Sequence, residues 1–99
     1  MNINKKQNGS ELLIELDGSL DTTTAPELDK VIRDSLNGIT SLIFDFKKVD
    51  YVSSAGLRVL LVAYKIMTKQ GNMVIRNVNQ DIMDIFQITG FVDILTIEN

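Results

Sequence analysis

The chain has 99 residues, 44% hydrophobic and 23% charged, the balance of a soluble globular protein with apolar material for one modest core. A net charge of −3 argues against nucleic acid, whose phosphates select clustered Lys and Arg; no apolar run approaches the roughly 18 residues of a membrane span, and Met1–Lys6 lacks the apolar centre of a signal peptide. Cysteine and histidine are both absent, which removes disulfides, thiol chemistry, the commonest general base and the commonest transition-metal ligand together, so the expectation is a cytoplasmic, non-enzymatic protein with no catalytic residue, metal or cofactor of its own.

Residues 2–7 and 11–17 flank Asn8-Gly9, a two-residue hairpin signal in which both turn positions tolerate positive φ. The first of these strands is polar apart from Ile3 and reads as an edge, guarded by Lys5 and Lys6. In the second, Leu12, Ile14 and Leu16 alternate with Leu13, Glu15 and Asp17, so one face is buried and the other partly so. Residues 18–23 read as a loop. Thr24-Ala25-Pro26-Glu27 has the form of a capping box with Pro in the first turn, and Leu28, Val31, Ile32, Ser35 and Leu36 continue as one helical face stopped by Asn37-Gly38.

Residues 41–46, Ser-Leu-Ile-Phe-Asp-Phe, suit a central strand covered on both faces. Residues 47–52 then lead to the small-residue corner Ser53-Ser54-Ala55-Gly56, where a mostly apolar helix of about 55–69 begins. Gly71-Asn72 ends it, and Met73-Val74-Ile75 reads as a short strand. Asn79 is placed to cap a third helix through Ile82, Ile85, Phe86 and Ile88, stopped by Gly90, and residues 93–98 close as a strand. The order β-β-α-β-α-β-α-β implies an α/β fold with a mixed sheet: an antiparallel hairpin, then βαβ crossovers with helices packed on the sheet. No linker or repeat divides residues 1–99, which are read as a single domain.

Ser54-Ala55-Gly56 supplies half of a nucleophile elbow, but Val52 stands where the first Gly belongs and no histidine exists to complete a triad. No Walker or Gly-x-Gly-x-x-Gly loop is present. Asp17, Asp21, Asp45 and Asp50 fall near strand ends, where sites in open sheets gather, and carboxylates suit Mg²⁺, but nothing fixes an octahedral set and solvated or capping carboxylates are the preferred explanation. Lys47 and Lys48, with Arg58, form a basic flank to Ser54 suited to a surface turn or to an acidic partner. Either hydroxyl of Ser53 or Ser54 can cap the helix, a contribution of about 1 kcal/mol. Gly56, by contrast, gives up about 1 kcal/mol relative to Ala in a first turn, which signals a close approach. Residue chemistry alone leaves cap and functional site both open.

Gly18-Ser19-Leu20-Asp21, Leu42-Ile43-Phe44-Asp45-Phe46, Tyr51 through Leu61 and Ile85-Phe86-Gln87-Ile88-Thr89-Gly90-Phe91 together resemble the STAS domain family, specifically the single-domain bacterial anti-sigma factor antagonists. The resemblance spans nearly the whole chain, and the segment around Ser54 is its most specific part. It implies a partner-switching regulator of transcription: the unphosphorylated protein binds an anti-sigma factor, a serine kinase of the GHKL ATPase type, and so releases a sigma factor. Phosphorylation by that kinase ends the complex, and a PP2C-type phosphatase resets it. Matched onto this chain, the acceptor is Ser54, with Ser53 as a competing hydroxyl. The partner surface combines Asp21, Thr22, Ser53, Ser54, Ala55, Gly56 and Arg58. ATP and Mg²⁺ belong to the kinase. One departure stands out: many members carry Asp immediately before the acceptor, where this chain has Ser53. That keeps a second reading in view, a STAS module that binds a small ligand or docks in a sensory complex without a phosphorylation cycle.

Overall fold

The computed structural model describes residues 1–98; Asn99, the last residue of the expected domain, lies outside the described residues. Five strands, β1 (Asn2–Asn8), β2 (Glu11–Leu20), β3 (Ser41–Val52), β4 (Asn72–Arg76) and β5 (Thr96–Glu98), form one sheet in the order β1-β2-β3-β4-β5. Three helices, α1 (Ala25–Ser35), α2 (Ser54–Met67) and α3 (Gln80–Thr89), connect the last four, and a 3₁₀ turn at Phe91–Asp93 follows α3. β1 and β2 pair antiparallel; every other pair is parallel. The expected mixed α/β fold is the one observed.

The hairpin turns one residue later than the Asn8-Gly9 signal suggests. Asn8 pairs with Glu11, and Gly9 at φ +62° with Ser10 makes the turn. Glycine with positive φ at the first central position is the requirement of a type II′ turn. Asn79 accepts from the Ile82 amide at 2.9 Å and Gly90 ends α3 at φ +80°, as their chemistry predicts.

The crossovers β2-α1-β3, β3-α2-β4 and β4-α3-β5 all step the same way across the sheet. With right-handed connections, all three helices must therefore lie on one face. Phe44 and Phe46 of β3 point into that layer, their rings 6.3 Å apart, and Phe86 of α3 stands 6.4 Å from Phe46. The core cluster joins Leu12, Ile14 and Leu16 to Leu28 and Ile32 of α1, Leu60 and Ala63 of α2, and Ile82 of α3.

The expectation that β3 is covered on both faces is corrected here. Ile43 lies outside the core cluster although only 8% exposed, and Asp45 beside it is half-exposed. The helix-free face is screened instead by its own polar side chains. Lys6 meets Glu15 at 3.2 Å, Asn4 donates to Glu15 at 3.0 Å and Asn77 donates to Asp45 at 3.1 Å. Two further boundaries shift. The segment after Phe46 stays in β3 to Val52, and residues 93–95, expected in the last strand, are the end of the 3₁₀ turn and its exit.

Candidate functional site

Residues 18–20, expected in a loop, belong to β2. Register shifts between Glu15 and Asp17 and between Gly18 and Ser19, the latter at Gly18 with φ +115°, let β2 follow β3 to its end, where Leu20 pairs with Val52. Two neighbouring parallel strands thus finish side by side. The loop that begins at Asp21 and the corner that begins at Ser53 emerge together, at the C-terminal edge where sites in open sheets gather.

Each loop is held by its own hydrogen bonds. The Thr24 capping box does not form: Thr24 sits at φ −95°, ψ −21° and its side chain caps nothing. Its hydroxyl donates to the Ser19 carbonyl at 2.7 Å and accepts from the Asp21 amide at 2.9 Å. Asp21 takes the capping role one turn earlier, its Oδ1 accepting from the amides of Thr23 at 2.9 Å and Thr24 at 3.1 Å. The Thr24 hydroxyl, committed to the Ser19 carbonyl and the Asp21 amide, leaves the Glu27 amide to bond the Thr24 carbonyl at 3.1 Å. Asp50 is engaged by the Ser19 hydroxyl at 2.7 Å, and Asp45 accepts from the Lys47 amide at 2.9 Å. Among the described residues no group of three metal-ligating side chains is brought together.

At the corner the two serines divide the work. Ser53 is the N-cap of α2, extended at φ −88° and ψ 175°, and its Oγ accepts from the Gly56 amide at 3.3 Å. Its own amide donates to the Leu20 carbonyl at 2.9 Å, which ties α2 to the end of β2. Ser54 is the first helical residue; it is exposed, and its hydroxyl has no hydrogen-bond partner among the described residues. The first amides of α2 and the positive end of its dipole lie beside it. Gly56 is buried. A methyl group on it would stand 2.7 Å from Leu20 Cγ and 2.8 Å from the Leu20 carbonyl oxygen. The close approach signalled by this glycine is therefore to β2, and Gly56 shapes the surface from beneath rather than facing outward.

Thr22, Ala55 and Arg58 line an open groove of about 420 Å³ between α1 and α2. Ala25, Pro26, Val59 and Val62 supply its apolar part, while Asp29 and Arg33 close an ion pair at 2.8 Å that raises the Arg33 pKa through that hydrogen bond. Of the seven residues expected at a partner surface, Thr22, Ser54, Ala55 and Arg58 meet at the corner and groove, while Asp21, Ser53 and Gly56 hold the backbone in place. The contribution of α1 was not read from sequence. Its signal was available in Val59 and Val62, apolar positions beside the core stripe of Gly56, Leu60 and Ala63. Tyr51, 51% exposed at the end of β3, is a further large apolar side chain beside the corner.

A model of the STAS domain matches residues 2–99. The chain is 30% identical over 98 residues to the anti-sigma-B factor antagonist of Bacillus subtilis, covering 98% of this chain and 90% of that one. It is 32% identical over 90 residues to BtrV of Bordetella bronchiseptica, covering 89% of this chain and 78% of that protein. Among solved structures, an anti-sigma factor antagonist from Mycobacterium paratuberculosis superposes with a TM-score of 0.87 at 18% identity, over 97% of this chain and 83% of that one. The antagonist SpoIIAA in its unphosphorylated form superposes at 0.73 with 15% identity, over 99% and 88%.

Proposed function

The chain belongs to the STAS domain family, and on that premise we propose that it is an anti-sigma factor antagonist switched by phosphorylation of Ser54. Unphosphorylated, it binds a serine-kinase anti-sigma factor of the GHKL ATPase type through the corner and the α1–α2 groove, and thereby releases a sigma factor. The observation that carries this reading is the division between the two serines: Ser53 holds the cap, and Ser54 stands exposed and unpartnered beside the groove. The Ser54 hydroxyl can leave its present setting at no cost in hydrogen bonds.

In the transfer, Ser54 Oγ attacks the γ-phosphorus of ATP held by the kinase; the new O–P bond forms, ADP leaves, and the hydroxyl proton passes to a base of the kinase. The antagonist is the substrate and supplies position alone. A PP2C-type phosphatase hydrolyses the ester and resets the switch. SpoIIAA, whose fold this chain shares, is known in a phosphorylated form, which supports a fold able to carry the group. The added charge of roughly −1.5 to −2 at pH 7 falls at the positive end of α2, where the fold tolerates it. Across an interface built on Ala55 and Thr22 the same group brings bulk, desolvation and repulsion from facing acids. Each 1.4 kcal/mol of that penalty is about tenfold in affinity. Incubation with the cognate kinase and ATP, followed by peptide mass spectrometry, tests the reading. Phosphate on Ser54 is expected; phosphate on Ser53 alone, or on neither, contradicts it.

A further inference from the structure

Arg58 follows Ser54 by four residues on α2, is exposed, and enters no ion pair among the described residues. The other cation of the groove, Arg33, is already held by Asp29 at 2.8 Å. Four residues turn an α-helix through about 400°, so positions 54 and 58 stand only about 40° apart around the axis, with Cβ atoms roughly 5–6 Å from each other. Side chains lean toward the helix N-terminus, so an arginine at 58 covers the turn that carries Ser54. Ser53 offers no such match. It precedes the helix in an extended conformation, and five residues leave an offset of about 140°.

We infer that Arg58 is a built-in receiver for a phosphate on Ser54. The planar guanidinium is suited to two parallel hydrogen bonds with phosphate oxygens, and no competing carboxylate has to be displaced. The inference rests on the reading of Ser54 given above and adds a second consequence to its modification. Phosphorylation introduces a dianion and also withdraws Arg58, a groove-lining cation, from any partner. The groove edge then changes from one positive charge to roughly −0.5 to −1. A partner carboxylate that meets Arg58 in the unmodified complex thus loses its counter-charge in the same event that places phosphate opposite it.

Phosphoserine installed at position 54 during translation tests this without any kinase. ³¹P NMR across the neutral pH range at low salt reads the second phosphate ionisation in this protein and in an Arg58→Gln counterpart, which keeps most of the side-chain stem. An opposite charge favours the dianion, so the midpoint is expected roughly 0.2–0.4 pH unit lower with Arg58 present. The gap closes in about 1 M salt and is partly restored by Arg58→Lys. Equal midpoints at low salt, with circular dichroism showing both proteins folded, overturn the inference however well a kinase modifies Ser54. Conversely, a kinase that ignores Ser54 defeats the functional reading while a midpoint difference still stands.

Discussion

Gly56→Ala separates two opposite expectations for stability. In an exposed helix the change is favourable by about 1 kcal/mol, because Ala loses less backbone freedom. Here the added methyl would lie 2.7 Å from Leu20 Cγ, 2.8 Å from the Leu20 carbonyl oxygen and 3.1 Å from Val52 Cγ1. Leu20 is fully buried, and its carbonyl is fixed by the Ser53 amide at 2.9 Å, so neither obstacle can yield alone. Overpacking of this kind costs about 1–3 kcal/mol, and a clash with backbone belongs in the upper part of that range. Subtracting the helix gain leaves a net destabilisation of about 1–2 kcal/mol, or a Tm lower by roughly 5–15 °C in a domain of this size. Urea unfolding with an unchanged m-value is the direct assay. A variant as stable as the parent, or more stable, would refute the account of how the end of β2 and the start of α2 are joined.

The two serines should part company in the same assay. Ser53→Ala removes the cap on the Gly56 amide and is expected to lose about 1 kcal/mol, whereas Ser54→Ala removes an unpartnered exposed hydroxyl and should stay within about 0.5 kcal/mol of the parent; a reversed order would contradict the assignment of roles. Asp21→Ala leaves the Thr23 and Thr24 amides without their shared acceptor and should cost about 1–2 kcal/mol, with faster amide exchange confined to residues 21–25 as the local sign. Asn79→Ala removes the acceptor of the Ile82 amide and the donor to the Val49 carbonyl, 3.1 Å away, so a loss of about 1–2 kcal/mol in urea unfolding is expected.

What could be read ahead of the structure was whatever local chemistry decides. Asn79 and Gly90 bound α3 because a cap and a left-handed stop act within one turn of chain. The corner at Ser53–Gly56 was legible for the same reason, as a run of small residues before an apolar helix. The Thr24 capping box fails because its hydroxyl is taken by the Ser19 carbonyl and the Asp21 amide on the N-terminal side, and a short motif carries no record of such rivals. β2 ran past its expected end because its last residues are held by β3, thirty residues away, through shifted pairing that no alternation pattern encodes. The apolar run at residues 41–46 suits a strand covered on both faces, the face of Ile43 included. That face has no helical layer, since which side a crossover takes depends on the order of strands in the sheet. Gly56 announced a close approach without naming the neighbour, and Leu20 was found only by folding the chain. The groove needed α1 and α2 side by side, so its half from Pro26 and Arg33 was not legible, while its half from Ala55 and Arg58 was.

The central claim is that one hydroxyl governs partner binding. Titration calorimetry of the chain against its cognate anti-sigma kinase, before and after complete phosphorylation at Ser54, puts it to the test. The account predicts a complex with the unmodified protein and a Kd at least about tenfold weaker after modification, a penalty of 1.4 kcal/mol or more. The same Kd for both forms, in samples whose mass shows full phosphorylation of Ser54, would contradict it.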